Sequence, residues 1–290
     1  MFANQLLFGS PGSFAVPDLD RTDFFLVLGA NPLVSNGSIM TAPDMRGRLR
    51  GLRERGGTFI VVDPRRTESA SVADLHVPIQ PGTDALFLFA LIHTLFAENL
   101  VHLDHLQKSV SGQEAIEEMA RPFSPERVAQ ATGISAETTR MVARDFAGAR
   151  TAACYGRVGI CTQEFGTLAS WLIEVLNILT GNLDRAGGVM FPHGAHAHAG
   201  PNRRSARMPY DRWRTRVRGL PEFAGELPVA ALAEEIDTPG EDRVRALVTV
   251  AGNPVSSTPN ARRLDQALGQ LDFMVSEDLY LNETTRHADI

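Results

Sequence analysis

The sequence predicts an α/β fold made of two open parallel-sheet domains, the second one incomplete. Three observations carry this. Short, fully apolar runs end in turn sequences. Helical stretches separate those runs. One strand-and-turn motif occurs in both halves of the chain.

In chain order, Phe24 to Leu28 is a continuous apolar run, the signature of a strand buried on both faces. Gly29-Ala30-Asn31-Pro32 closes it with turn residues. An arginine-rich helix follows over about Ala42 to Arg55, stopped by Gly56-Gly57. Thr58 to Val62 reads as the next buried strand, ending at Asp63-Pro64, and Val77 to Ile79 as a short one before Pro81-Gly82. Thr83 to Asn99 reads as a strongly apolar helix. Further helices start at Ser124-Pro125-Glu126, with a cap residue, a first-position proline and an early acid, and at Ser135. Thr151 to Tyr155 is a strand, Gly156 to Gln163 a loop, and Phe165 to Leu179 an apolar helix. Strands alternating with helices make Rossmann-like βαβ units the leading architecture.

The pattern weakens after Gly181, where Gly, Pro, His and Arg dominate. The expected division is a first dinucleotide-binding domain over residues 1–190, a long loop or linker over 191–228, and part of a second such domain over 229–290. In that last part, Val229 to Ile236 reads as helix, Ala246 to Val250 as strand, Asn260 to Gly269 as helix and Asp272 to Ser276 as strand.

The second half echoes the first. Asn253-Pro254 follows an apolar strand and a Gly/Ala turn, as Asn31-Pro32 does. At the next strand Asp278, Glu283, Ala288-Asp289 and Ile290 match Asp63, Glu68, Ala73-Asp74 and Leu75 in one register. The first copy continues through His76 to Asp84, whereas the second stops at Ile290, so the expectation is a fragment of a longer protein.

Composition excludes several classes. With 43% hydrophobic and 21% charged residues the chain can build cores, which argues against wholesale disorder. The longest apolar stretch, Ala85 to Ala97, is too short to span a bilayer. No secretory signal is visible, so a cytoplasmic location is the expectation. A net charge of −6 argues against a nucleic-acid partner. Lys108 is the only lysine among 28 basic residues, a bias that reads as codon usage before function. Two cysteines, Cys154 and Cys161, cannot supply a disulfide scaffold, a four-cysteine zinc site or a cubane cluster. Cys154 reads as a buried strand thiol, and Cys161 as a loop residue without a catalytic role.

Ligands of open parallel sheets bind at the carboxyl ends of the strands. Gly29 there allows close backbone approach, and Asn31 offers a donor and an acceptor. Asp63 stands where an acid accepts from ribose hydroxyls, and Arg65 and Arg66 suit a pyrophosphate. Asp84 is balanced evenly between a helix N-cap and an acceptor for a guanine edge. The G-x-G-x-x-G fingerprint is absent, which counts against NAD and FAD. His193, His196 and His198 lack an acidic or cysteine partner, so a loop outweighs a metal site. The run Arg203, Arg204, Arg207, Arg212, Arg214, Arg216 and Arg218 reads as a solvated, salt-bridged surface.

In order along the chain stand Leu28-Gly29-Ala30-Asn31-Pro32, Val62-Asp63-Pro64-Arg65-Arg66-Thr67, Ala73-Asp74-Leu75-His76, Pro81-Gly82-Thr83-Asp84, Gly159-Ile160-Cys161-Thr162-Gln163, Leu179-Thr180-Gly181-Asn182-Leu183, Gly252-Asn253-Pro254 and Asp278 with Glu283-Thr284. This ordered set resembles the molybdopterin oxidoreductases that carry two guanine-dinucleotide pterins, the dimethyl sulfoxide reductase, formate dehydrogenase and nitrate reductase group. The resemblance covers about residues 20 to 290. It implies a bis-molybdopterin guanine dinucleotide cofactor with molybdenum, or tungsten, and two-electron chemistry on a small-molecule substrate. It implies that Gly29, Asn31, Asp63, Arg65, Pro81, Asp84, Gly159 and Gln163 line one dinucleotide, and that Asn253, Ser276 and Asp278 bind the other.

The departures also carry expectations. The family's N-terminal cysteine motif for a 4Fe–4S cluster is absent, so such a cluster requires a further N-terminal domain. No residue matches the family's protein ligand to the metal, and its C-terminal pterin-binding domain is missing. The isolated chain is therefore expected to be inactive, and an electron-transfer subunit is a candidate partner. The alternative is a non-catalytic electron-transfer or scaffold subunit, similar to the large iron–sulfur subunit of respiratory NADH dehydrogenase. A plain nucleotide-binding module is the third reading.

Overall fold

The computed structural model describes residues 1–192 and 207–290. His193, His196, His198, Arg203 and Arg204 lie outside the described residues. The chain divides into two compact units, Met1–Ser205 and Ala206–Ile290.

The first unit starts with a helix the sequence reading missed, Phe2–Phe8, and a short strand β1, Val16–Pro17. The strands β2 (Phe24–Leu28), β3 (Thr58–Val62), β4 (Leu75–Val77) and β5 (Ala152–Gly156) form a four-stranded sheet in the order β4-β3-β2-β5. All its pairings are parallel. All five residues of β2 are buried, as a strand flanked by two neighbours and covered on both faces requires. The chain passes from β2 to β3 on one side and later returns to β5 on the other. The carboxyl ends of β2 and β5 therefore form the topological switch point.

The helices Asp84–Ala97 and Gly166–Leu179 pack on one face with Phe24, Leu26, Leu28, Ile60 and Val62. Asp84–Ala97 buries residues all round, as an apolar helix at a domain centre must. The other face packs Phe25, Val27, Phe59 and Val61 against the helix Met45–Glu54 through Met45, Leu49 and Leu52. That helix starts later than expected because Asp44 caps it, accepting from the Gly47 amide. The strand expected over Val77 to Ile79 instead spans Leu75–Val77. The loop expected over Gly156 to Gln163 contains one helical turn, Val158–Cys161.

The outer edge of β5 is sealed by side chains rather than by another long strand. Asn177 Oδ1 accepts from the Cys154 amide at 2.9 Å, and its Nδ2 donates to the Cys154 carbonyl at 3.0 Å. Asn182 Oδ1 accepts from the Ala152 amide at 3.0 Å. Both asparagines are buried, so their amides supply the backbone partners a strand would otherwise supply. This gives the Leu179-Thr180-Gly181-Asn182-Leu183 motif a structural role. A two-residue strand β6, Val189–Met190, pairs antiparallel with β1.

The second unit opens with residues the sequence reading placed in a loop. β7 (Tyr210–Arg214) and β8 (Pro221–Phe223) form an antiparallel hairpin. Weak periodicity hid it, because every residue of β7 is exposed. Its arginines are ion-paired: Arg212 with Glu222, Arg214 with Asp211, Arg216 with Glu235, and Arg218 with Glu234. The helix Leu232–Asp237 follows a single 3₁₀ turn, and Ala261–Leu268 is the longer helix of this unit. β9 (Ala246–Val250) and β10 (Phe273–Glu277) pair in parallel and form a second two-stranded sheet in this unit.

Candidate functional site at the carboxyl ends of the strands

Four of the predicted residues form one hydrogen-bonded chain at the switch point of the first unit. The Gly159 amide donates to the Gly29 carbonyl at 2.9 Å. Gln163 Nε2 donates to the Gly159 carbonyl at 2.7 Å and to Asp84 Oδ2 at 2.6 Å. The two glycines touch backbone to backbone. A Cβ on Gly29 would lie 2.8 Å from the Ile160 nitrogen, and one on Gly159 would lie 2.7 Å from the Gly29 Cα. Gly29 also has φ of +54°, which disfavours any L side chain.

Asp84 is not the N-cap of its helix. Thr83 holds that position, and Asp84 is the first helical residue. Only 3% exposed, its carboxyl is raised above the usual range, first by burial and also by the neighbouring Asp63 charge. The Gln163 bond and its own backbone amide oppose that shift. Asp63 Oδ1 accepts from the Arg65 amide at 2.8 Å, which folds the turn after β3. Arg65, Arg66 and Pro81 are exposed beside it.

Asn31 is engaged within the protein. Its Nδ2 donates to Glu68 at 2.7 Å, and its Oδ1 accepts from the Ser69 hydroxyl at 2.7 Å. Ser69 Oγ in turn accepts from the Leu33 amide at 3.0 Å. The side chain clamps the turn after β2 onto the start of the short helix Glu68–Val72. Glu68 is held below the usual carboxylate range by its own backbone amide and by Asn31.

The same bonds occur in the second unit. Asn253 Nδ2 donates to Glu283 at 2.7 Å, Asn253 Oδ1 accepts from the Thr284 hydroxyl at 2.7 Å, and Thr284 Oγ1 accepts from the Val255 amide at 3.1 Å. Asp74 and Asp289 likewise accept from the Phe59 and Met274 amides, each at 2.8 Å. The left-handed residue after the strand is Gly29 in one case and Ala251, with φ of +49°, in the other. Asp278 Oδ1 accepts from the Tyr280 amide at 3.1 Å, as Asp63 does from Arg65. An open hollow of about 490 Å³ lies here, lined by Asn253, Asp278, Tyr280 and their neighbours. Ser276 is not part of that lining, and its hydroxyl bonds Thr249 across the sheet at 2.6 Å.

Serine and threonine at 69 and 284 are clamp members that sequence reasoning did not single out in the first copy. The register that matches Glu68 with Glu283 also matches Ser69 with Thr284, two hydroxyl side chains, and that pairing is the signal that locates them. No group of three or more metal-ligating side chains occurs among the described residues. No helix among them is long and apolar enough to cross a membrane. Cys154 is buried and Cys161 exposed.

The first unit is thus an α/β fold whose parallel sheet has a glycine-lined switch point and an acid at a strand end. The chain belongs to the molybdopterin oxidoreductase family, whose model matches residues 2–290. It is 25% identical to the F420-dependent formate dehydrogenase subunit alpha of Methanocaldococcus jannaschii, over 95% of this chain and 41% of that protein. It is 28% identical to the assimilatory nitrate reductase catalytic subunit of Bacillus subtilis, over 99% of this chain and 42% of that protein. Among solved structures, acetylene hydratase from Pelobacter acetylenicus shares the fold, with a TM-score of 0.76 at 21% identity over 99% of this chain and 42% of that one. The chain thus spans about two-fifths of the length of the relatives it matches.

Proposed function

We propose that this chain is the central cofactor-binding portion of a molybdenum-dependent oxidoreductase and holds molybdopterin guanine dinucleotide. Family membership and the oxidoreductase names of its relatives support the reading. The donor set fits the group. Buried Asp84, oriented by Gln163 at the switch point, is a carboxylate with acceptor positions left for the two N–H groups of a guanine edge. This is the observation that carries the proposal. In this reading Asp63 accepts from ribose hydroxyls, and Arg65, which is exposed, meets the pyrophosphate. Gly29 and Gly159 let the strand-end turns close up, and Pro81 sets the turn that leads to Asp84. In the second unit Asp278 and the Asn253 turn border the hollow for the other dinucleotide, with Ser276 bracing the strands beneath.

When bound, the cofactor supplies a metal centre that exchanges two electrons with a small-molecule substrate. The chain's residues bind and orient it. Asn31 and Asn253 act as clamps that fix the turns. Titration calorimetry with GDP tests the guanine reading on the chain itself. The parent is expected to bind, and Asp84→Ala and Asp84→Asn to weaken binding at least about tenfold, because a guanine edge needs an acceptor there. Equal binding by parent and variants would refute the assignment. Metal and pterin analysis of the purified protein separates this reading from a scaffold subunit, which would contain neither.

A further inference from the structure

The two strand-end turns share a backbone but differ in chemistry just after the acid. In the register that aligns Asp63 with Asp278, Arg65 and Arg66 of the first unit correspond to Tyr280 and Leu281 of the second. The backbones match, since the Arg65 amide donates to Asp63 and the Tyr280 amide to Asp278. The guanidiniums after β3 are thus replaced after β10 by an aromatic ring and an aliphatic side chain.

This exchange changes what the turn can hold. Tyr280, 77% exposed, lines the hollow of about 490 Å³ beside Asn253 and Asp278. Val250, 65% exposed, and Leu279, 93% exposed, line the same space. Large apolar side chains left open around one hollow mark a surface that a ligand covers. Of the described residues that line it, the charged ones are Glu277 and Asp278, both acids. A phosphate set against carboxylates without a cation is repelled. A flat ring with N–H groups along its edge is attracted, because its face stacks on an aromatic side chain and its edge finds acceptors. Asp278 keeps acceptor capacity for such an edge. Its Oδ1 takes the Tyr280 amide at 3.1 Å and its Oδ2 the Asn282 side-chain amide at 3.3 Å, one bond each. The hollow is also of the size that small-molecule sites have, enough for a bicyclic ring with its attached sugar.

We infer that Tyr280 is the stacking residue of the second unit, and that its hollow receives a flat, N–H-bearing heterocycle, the base or the pterin ring, rather than a phosphate. The inference rests on the dinucleotide reading of this hollow and makes the two units unequal. The cationic turn at Arg65 meets phosphates, and the aromatic turn at Tyr280 meets a ring.

The test uses the whole chain carrying Asp84→Asn, so that guanine recognition in the first unit does not report. The chain is labelled with 3-fluorotyrosine. Its sequence holds three tyrosines, and the Tyr280 resonance is assigned by its loss in Tyr280→Phe. Guanosine and neopterin are the probes, each a ring without a phosphate. Ribose 5-phosphate is the control, a phosphate without a ring. At least one ring compound is expected to shift the Tyr280 signal, and the tighter of the two identifies the ring. Ribose 5-phosphate is expected to leave the signal in place. By calorimetry, affinity for the tighter probe should fall at least about tenfold in Tyr280→Ala and stay within about twofold in Tyr280→Phe, since stacking needs the ring face and not the hydroxyl. The inference is overturned if neither ring compound moves the Tyr280 signal, if ribose 5-phosphate moves it equally, or if Tyr280→Ala binds as tightly as the parent. GDP binding to the chain with Asp84 intact judges the guanine assignment separately. Asp84-dependent GDP binding with a silent Tyr280 refutes this inference alone. A ring-dependent shift at Tyr280 without Asp84-dependent GDP binding refutes that assignment and supports this one.

Discussion

Glu174 puts the packing around β5 to a quantitative test. Its carboxyl lies on the helix Gly166–Leu179, and burial lifts its pKa from 4.5 to about 7, with the Asn177 amide at 3.5 Å opposing the shift. Each unit is worth about 1.4 kcal/mol, so the gap of roughly two and a half units amounts to about 3 kcal/mol. The folded chain holds this proton more tightly than the unfolded chain does. The carboxyl therefore costs nothing below pH 4.5, destabilises progressively as the pH rises toward 7, and costs its full amount above that. Glu174→Gln keeps the shape and removes the titration. Guanidinium unfolding would be followed by Trp171 fluorescence, in a Trp213→Phe background that silences the other tryptophan. At pH 8 the glutamine variant should be more stable than the parent by about 3 kcal/mol, and at pH 4.5 the two should coincide. A difference that does not change with pH, or a glutamine variant weaker at pH 8, would refute a buried carboxyl without an ion-pair partner at this position.

Three other perturbations have defined outcomes. Gly159→Ala drives a Cβ into the Gly29 backbone and should cost about 2–4 kcal/mol in the same unfolding assay, whereas Gly148→Ala, with open space around it, should cost nothing measurable. Asn177→Leu strips the Cys154 amide and carbonyl of their partners and should cost about 2–4 kcal/mol, with amide exchange at Cys154 rising as its direct signature. A thiol reagent at neutral pH should label exposed Cys161 within minutes and leave Cys154 untouched until the chain unfolds, because burial also pushes the Cys154 thiol well above its ordinary value. Labelling of both in native buffer would contradict the buried strand.

The parallel strands were legible because they are short, mainly apolar and closed by turn residues. Phe24–Leu28, Thr58–Val62 and Ala246–Val250 fall where the pattern put them. The hairpin Tyr210–Arg214 with Pro221–Phe223 was not legible, since its order comes from ion pairs such as Arg212 with Glu222 and not from an apolar face. Among the site residues, Asp63 and Asp84 could be placed at strand and helix ends by spacing alone. What spacing could not disclose is where a side chain spends its hydrogen bonds. The Asn31 amide is spent on Glu68 and Ser69, more than thirty residues away, and Gln163 is the partner that fixes Asp84.

The amide seal along β5 also fixes an order of assembly. The strand is complete at Gly156, yet the groups that close its outer edge arrive with Asn177 and Asn182, after the intervening helix has formed and docked. Until then a nascent chain offers an unpaired, apolar strand edge to whatever is nearby. Ribosome-bound chains halted before Asn177 should therefore be captured by chaperones or stick to one another, and chains extended past Leu183 should be released.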